Sequence, residues 1–252
     1  MKISVCGKGG SGKSTVVSLL ANQAVARRLG VVVIDSDESN SGLFRMLGFQ
    51  RSPVPLMDLI GGRRELTEKM RKTDILAQSR ISVDDIPSRH VLTRNGMRLV
   101  SIGKILQSLE GCACPMGVLS REFLRKLVLD NNQLAIVDME AGVEHFGRGI
   151  DNSIDTVLLV VEPSMESIDV AEKIHGLALK IRKRLLAVLN KVSSDKVAAK
   201  LKKELKGRDI DVIGTIKDDS FIFEACLEGH PLDRGEGFDA AGRILEYVIS
   251  KH

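Results

Sequence analysis

The run Gly7-Lys8-Gly9-Gly10-Ser11-Gly12-Lys13-Ser14-Thr15 fits the spacing G-x-x-x-x-G-K-[ST]. Its residue types suit one task, holding a chain of phosphates. Glycines let backbone N–H groups curl around phosphate oxygens with no Cβ in the way. On this reading Gly9, Gly10, Ser11 and Gly12 form the cradle and Lys13 reaches the β- and γ-phosphates. Ser14 offers its hydroxyl to Mg²⁺, and Thr15 meets the α-phosphate. A helix opening at Lys13 would add the partial positive charge of its N-terminus. At average glycine usage such a match arises by chance in about one window in 25,000, so an accidental glycine-rich turn is set aside.

A second group of polar residues ends an apolar run. Leu134–Asp138 is followed by Met139-Glu140-Ala141-Gly142, and a carboxylate closing a buried strand is the arrangement that holds Mg²⁺ through water. Asp138 takes that role here, with a helix cap as its ordinary alternative. Gly142, four residues on, would let a backbone N–H approach the γ-phosphate and register its presence.

Gly111-Cys112-Ala113-Cys114-Pro115 offers different chemistry. Two cysteines one residue apart can present both thiolates to one soft metal. A tetrahedral site needs four ligands, and a two-fold axis supplies the other two by bringing the patch against its own copy. Zn²⁺ would give tetrahedral S₄, whereas Ni²⁺ tolerates planar S₄. The spacing alone is equally compatible with packing cysteines, which is how Cys6 and Cys226 are read.

These groups need a scaffold, and the sequence outlines one. Short, nearly continuous apolar runs at Ile3–Cys6, Val31–Asp35, Leu99–Ile102, Leu134–Asp138, Val157–Val161, Leu185–Asn190 and Val212–Ile216 read as strands buried on both faces. Helical periodicity marks Lys13–Leu29, Ser120–Leu129, Ser167–Ile181, Ser193–Lys206, Ser220–Leu227 and Phe238–Ile249. The alternation predicts an α/β fold with a doubly wound, mostly parallel sheet. One domain over 1–252 is expected, with an irregular excursion around 50–90 that holds short helical pieces near Leu56–Ile60 and Arg64–Lys72.

Composition narrows the class. The 252 residues are 43% hydrophobic and 28% charged with a formal charge of +4, ordinary for a globular chain and too little for a dedicated nucleic-acid binder. The cations of Ile181–Arg184 and Lys200–Lys206 read as solvated helix faces. No Trp and one Tyr leave little surface for stacking bases. Met1-Lys2 precedes too short an apolar run for a signal peptide. No stretch approaches the roughly 20 apolar residues of a membrane span. A cytoplasmic protein with reduced thiols is expected, with neither nucleic acid nor membrane among its partners.

Lys8, directly after the first glycine, completes a deviant Walker A pattern. It resembles the P-loop NTPase family that contains nitrogenase iron protein, the arsenite-pump ATPase, MinD and ParA. The resemblance implies ATP/ADP binding, ATP hydrolysis and a Lys8 that crosses a homodimer interface to the partner's nucleotide. It also implies that Asp37 of Asp35-Ser36-Asp37-Glu38-Ser39-Asn40 sits near the attacking water. Asn190 and Lys191, closing the sixth run, match the base-recognising position, and Gly214–Asp218 matches the loop over the base, with Lys217 where the family often has proline.

The strings Glu110–Pro115 and Asp138–Gly149 further resemble CooC-type proteins, the nickel-maturation ATPases of carbon monoxide dehydrogenase. That implies Ni²⁺ or Zn²⁺ at Cys112 and Cys114 across a nucleotide-dependent homodimer, with nickel-dependent carbon monoxide dehydrogenase as client. Glu144, His145 and Arg148 match the string without an assigned chemistry. His145 is either a hydrogen-bonding partner of a metal ligand or an interface residue. The competing expectation is a MinD/ParA-like positioning ATPase on membrane or DNA. An Fe–S electron-transfer ATPase ranks last, because its cluster cysteines come from separated segments.

Overall fold

The computed structural model describes residues 1–37, 42–69, 75–103, 114–143 and 153–251. Among these, eight strands form one sheet: β1 (Lys2–Gly7), β2 (Gly30–Asp35), β3 (Val91–Arg94), β4 (Met97–Ser101), β5 (Gln133–Asp138), β6 (Thr156–Val161), β7 (Arg184–Val192) and β8 (Val212–Lys217). Their order is β3-β4-β2-β5-β1-β6-β7-β8. Every pairing is parallel except β3 with β4.

Helices cover both faces, as continuous apolar strands require. The period of two along each strand splits the core. Val31 and Val33 face α1 (Lys13–Ala26) and α9 (Glu236–Ser250), while Val32 and Ile34 face α5 (Cys114–Lys126) and α6 (Met165–Lys180). Of two further helices, α7 (Asp195–Lys206) connects β7 to β8, and α8 (Ser220–Glu228) follows β8 and leads to α9. β1 lies between β5 and β6, so the winding reverses at its carboxyl end. Open α/β sheets bind ligands at such a reversal, and there the glycine run leaves the sheet.

A short helix, α2 (Leu43–Met46), precedes the expected excursion, which contains α3 (Leu56–Leu59), α4 (Gly62–Lys69) and a 3₁₀ turn at Val83–Asp85. A buried ion pair on α5 anchors its later part. Glu122 sits 2.8 Å from Lys126 and accepts the N–H groups of Ile75 and Leu76, while Lys126 Nζ donates to the Leu76 carbonyl. Breaking one side of such a pair typically costs about 3–5 kcal/mol.

Several expectations change. The run at Leu99–Ile102 is one arm of a hairpin whose other arm, β3, was not anticipated. Asn95 (φ 48°) and Gly96 (φ 81°) form its two-residue turn, and Asn-Gly between extended runs is the usual sign of one. Helix α1 stops at Ala26 rather than Leu29, where Arg28 (φ 61°) reverses the chain. Helix α5 starts six residues before Ser120 and ends at Lys126. Ile181–Arg184 is a turn into β7 rather than a helix face. Gly214–Lys217 lies inside β8, not in a loop. Cys226 is exposed rather than packed, whereas Cys6 is buried as expected. No helix among the described residues is long and apolar enough to cross a membrane.

Candidate functional site

The glycine run turns between β1 and α1 in a conformation other residues would resist. Gly12 has φ 90°, and a Cβ there would lie 2.2 Å from the Asn190 amide nitrogen. Gly7 (φ 150°) passes the Val160 carbonyl so closely that a Cβ would sit 2.5 Å from it. The turn itself is closed by Ser11 N–H donating to the Lys8 carbonyl at 3.2 Å. The α1 N-terminus has no side-chain cap, which leaves its N–H groups for an anion.

Two residues brace the loop from the end of β7. Asn190, 3% exposed, donates its amide to the Ser11 carbonyl at 2.9 Å. Lys191, at φ 57°, donates from Nζ to the Gly10 carbonyl at 2.7 Å. One Asn190 amide hydrogen is therefore committed to the loop rather than to a base, leaving its oxygen and its second hydrogen. Lys13, largely buried, reaches back toward the Lys8 carbonyl at 3.5 Å.

Beneath the loop lies an acidic floor. Strands β2 and β5 pair with Asp35 opposite Asp138, so two strand-end carboxylates are adjacent, with Asp37 buried nearby. Ser14 donates its hydroxyl to Asp138 Oδ2 at 2.5 Å. The other oxygen, Asp138 Oδ1, is buried with no hydrogen-bond partner. Burial first, then repulsion from Asp35 and Asp37, raises the Asp138 pKa to about 7, against the opposing pull of Ser14 and Lys13. A buried, unsatisfied carboxylate oxygen next to a serine hydroxyl is a cost that a cation would remove. Gly142, at φ 106°, donates its N–H to the Gly7 carbonyl at 3.3 Å, so its position ties directly to the loop.

Lys8 does not wave in solvent. Its Nζ stands 2.9 Å from both Glu162 and Glu166, and the bond to Glu162, then that to Glu166, raises its pKa. Glu162 closes β6 and also lies 3.9 Å from Lys191 Nζ. Neither carboxylate was singled out in the sequence, although Glu162 carries the same signal as Asp138, a charge closing an apolar strand.

A cavity of about 350 Å³ opens beside Thr15, lined also by Asn190, Lys191, Lys217, Asp219, Phe223 and Cys226. Phe223 is 69% exposed, and no local pattern announces a role for it. Burial raises the Cys226 pKa, opposed by the Thr15 hydroxyl, and its sulfur lies 3.8 Å from Met46 Sδ. The arrangement thus joins a phosphate cradle, a cation position and a half-apolar cavity suited to a flat ring.

Glu38, Cys112, Glu144, His145 and Arg148 lie outside the described residues, as does the side chain of Cys114, whose backbone opens α5.

With that geometry in hand, the likenesses to known proteins are specific. Residues 3–232 match the CobQ/CobB/MinD/ParA nucleotide binding domain. The chain is 39% identical to an uncharacterized ATP-binding protein of Methanocaldococcus jannaschii, over 92% of this chain and 94% of that one. It is 31% identical to the carbon monoxide dehydrogenase accessory protein CooC of Rhodospirillum rubrum, over 98% and 97%. Among solved structures, the septum site-determining protein MinD of Pyrococcus horikoshii, complexed with Mg-ADP, superposes with a TM-score of 0.74 at 17% identity, covering 98% of this chain and 95% of that one. That last likeness concerns the fold.

Proposed function

Because the chain belongs to the CobQ/CobB/MinD/ParA nucleotide-binding-domain family and is a P-loop ATPase, we propose that it is a metallochaperone whose nucleotide state governs a metal site shared by two copies. The cargo is Ni²⁺ or Zn²⁺, and the client is nickel-dependent carbon monoxide dehydrogenase. The observation that carries this reading is the pair Cys112 and Cys114 in a chain aligned end to end with CooC. The pair supplies two of the four thiolates a soft metal wants, and a symmetric copy supplies the rest.

ATP would lie with its phosphates over Gly9–Thr15 and its base in the cavity beside Phe223. The residues at Ser14 and Asp138 fit Mg²⁺, since the unpartnered Asp138 Oδ1 needs a positive neighbour. A cation held by Ser14 and Asp138 would supply neutralisation of the phosphate charge. Lys13 would neutralise the same charge from the loop side. Asp37 would orient the attacking water, a positioning task more than a chemical one. Gly142 would exchange its bond to the Gly7 carbonyl for the γ-phosphate.

Lys8 must leave Glu162 and Glu166 to reach a partner's nucleotide. Glu166 is mostly exposed, and ion pairs open to water are weak and readily exchanged. Its present pairing is thus a parking position compatible with a role across the dimer. A positioning ATPase on membrane gains no support from the last helix. Ile244, Leu245 and Val248 on α9 are buried in the core shared with α1 and are not offered to lipid.

The test is to titrate Ni²⁺ and Zn²⁺ into reduced protein, with and without Mg-ATP or a non-hydrolysable analogue, while recording molecular mass. One metal per dimer, bound tighter with nucleotide and lost in the Cys112→Ala/Cys114→Ala variant, is the expected result. Metal binding that ignores both cysteines would sink the metallochaperone reading and leave an ATPase of another purpose.

A further inference from the structure

A nucleotide-gated metal site needs a physical link between the phosphate loop and the helix that opens at Cys114. Ser36 occupies the crossing. Its N–H donates to the Asp138 carbonyl at 3.0 Å, and its hydroxyl donates to Ser120 Oγ at 2.7 Å. Asp138 in turn receives the Ser14 hydroxyl at 2.5 Å. Groups from α1, β5, the end of β2 and α5 therefore form one continuous hydrogen-bonded chain.

Both ends of this chain are placed to matter. Ser36 stands between Asp35 and Asp37, the second of which is the carboxylate proposed above to orient the attacking water. Ser120 is 3% exposed and lies six residues after Cys114 on the same helix, about 9 Å along its axis at 1.5 Å per residue. Helix α5 is packed along its length, with Met116, Leu119, Phe123 and Leu124 all buried. Two of its other anchorages lead away from the nucleotide. Met116 packs so tightly on Gly103 that a Cβ there would sit 2.3 Å from its sulfur, and Glu122 with Lys126 holds residues 75 and 76. Of these contacts, the Ser36–Ser120 bond alone touches the aspartate segment.

We propose that Ser36 and Ser120 are positioning residues that couple nucleotide state to the cysteine pair through α5. The proposal rests on the metal-site reading given above. When γ-phosphate repositions the Asp35–Asp37 segment, Ser36 carries Ser120 and the helix start with it. Shifts of 1–2 Å are the usual scale of such helix movements. The link transmits only what differs between the two nucleotide states, so its removal lowers a ratio and spares basal binding.

The test compares the natural protein with Ser120→Ala, Ser36→Ala and the double variant. Two quantities are measured with and without the Mg-bound non-hydrolysable ATP analogue. One is Zn²⁺ affinity. The other is the iodoacetamide alkylation rate of Cys112 and Cys114 in metal-free protein, mapped by peptide mass. In Ser120→Ala the analogue still binds within about twofold, and the nucleotide-dependent ratio in both readouts falls about fivefold, the worth of one hydrogen bond. The double variant should be no worse than either single one, since all three break the same link.

An unchanged ratio in Ser120→Ala overturns the proposal, as do effects of the two substitutions that simply multiply. So does an alkylation rate in the natural protein that ignores nucleotide. If the natural protein binds no Zn²⁺ through its cysteines, the metallochaperone reading fails, while the alkylation ratio still decides the coupling.

Discussion

The two ends of the nucleotide cleft are built on different plans. At the phosphate end, Lys13, Asp37 and Asp138 are buried, Ser14 is already bonded to Asp138, and Asn190 and Lys191 brace the loop. At the end proposed for the base, Phe223 and Cys226 are exposed on α8, and the cavity is open between Thr15 and Asp219. The contrast follows from what each end must recognise. Phosphate charge is met by fixed backbone dipoles and the buried Lys13, whose strength depends on exclusion of water. A flat ring needs only apolar area and a few hydrogen bonds, which exposed side chains can supply.

If that contrast is right, substitutions should hurt in proportion to burial. Lys13→Ala should act most strongly, lowering ATP turnover by about 10²-fold or more, the usual cost of losing one preorganised charge at a reacting phosphate. Steady-state hydrolysis measures it, and a loss under tenfold would mean the phosphate end is less preorganised than its geometry implies.

The acidic floor should impose a pH dependence. Asp138 holds its proton up to a pH of about 7 in the folded chain, against 3.8 for an ordinary aspartate. The unfolded chain loses that proton near 4, so this group's contribution to stability is full below that pH. It declines as pH rises toward 7 and is then constant. Cation binding at Asp138 requires the charged form. Mg-ATP affinity should therefore fall about tenfold per pH unit below 7, and Asp138→Asn should flatten that slope. Calorimetric titration across pH 5.5–8 distinguishes the two.

Phe223→Ala tests the other end. Stacking a base on an aromatic ring is worth about 1 kcal/mol at the low end, suited to so exposed a ring, so ATP affinity should drop about fivefold. An equal loss for inorganic triphosphate would place Phe223 outside the base contact. The smallest change is expected for Cys226→Ser, which keeps a hydrogen-bonding group beside Thr15 and should leave ATP affinity within about twofold. A larger effect, read by the same titration, would show that this exposed edge is as tightly organised as the phosphate floor.

The phosphate end was also the legible one. Gly7–Thr15 and Asp138 are contiguous with the elements that aim them, so spacing along the chain stands in for geometry in space. All seven apolar runs fell on mutually parallel strands for the same reason, since burial on both faces leaves an unbroken apolar signature. The hairpin arm β3 was missed because Val91–Arg94 is short and half-exposed at a sheet edge, although Asn95-Gly96 announced its turn.

What the sequence determined by itself is the chemistry that one segment can hold: a phosphate cradle, a strand-end carboxylate, and the order of strands and helices around them. Tertiary structure decided everything that joins distant segments. Lys8 with Glu162, 154 residues away, Asn190 with Ser11, Ser36 with Ser120 and the exposure of Cys226 leave no mark in local spacing. Each depends on which strand ends and helices the winding of the sheet brings together, and that is settled by packing of the whole core rather than by any one stretch of chain.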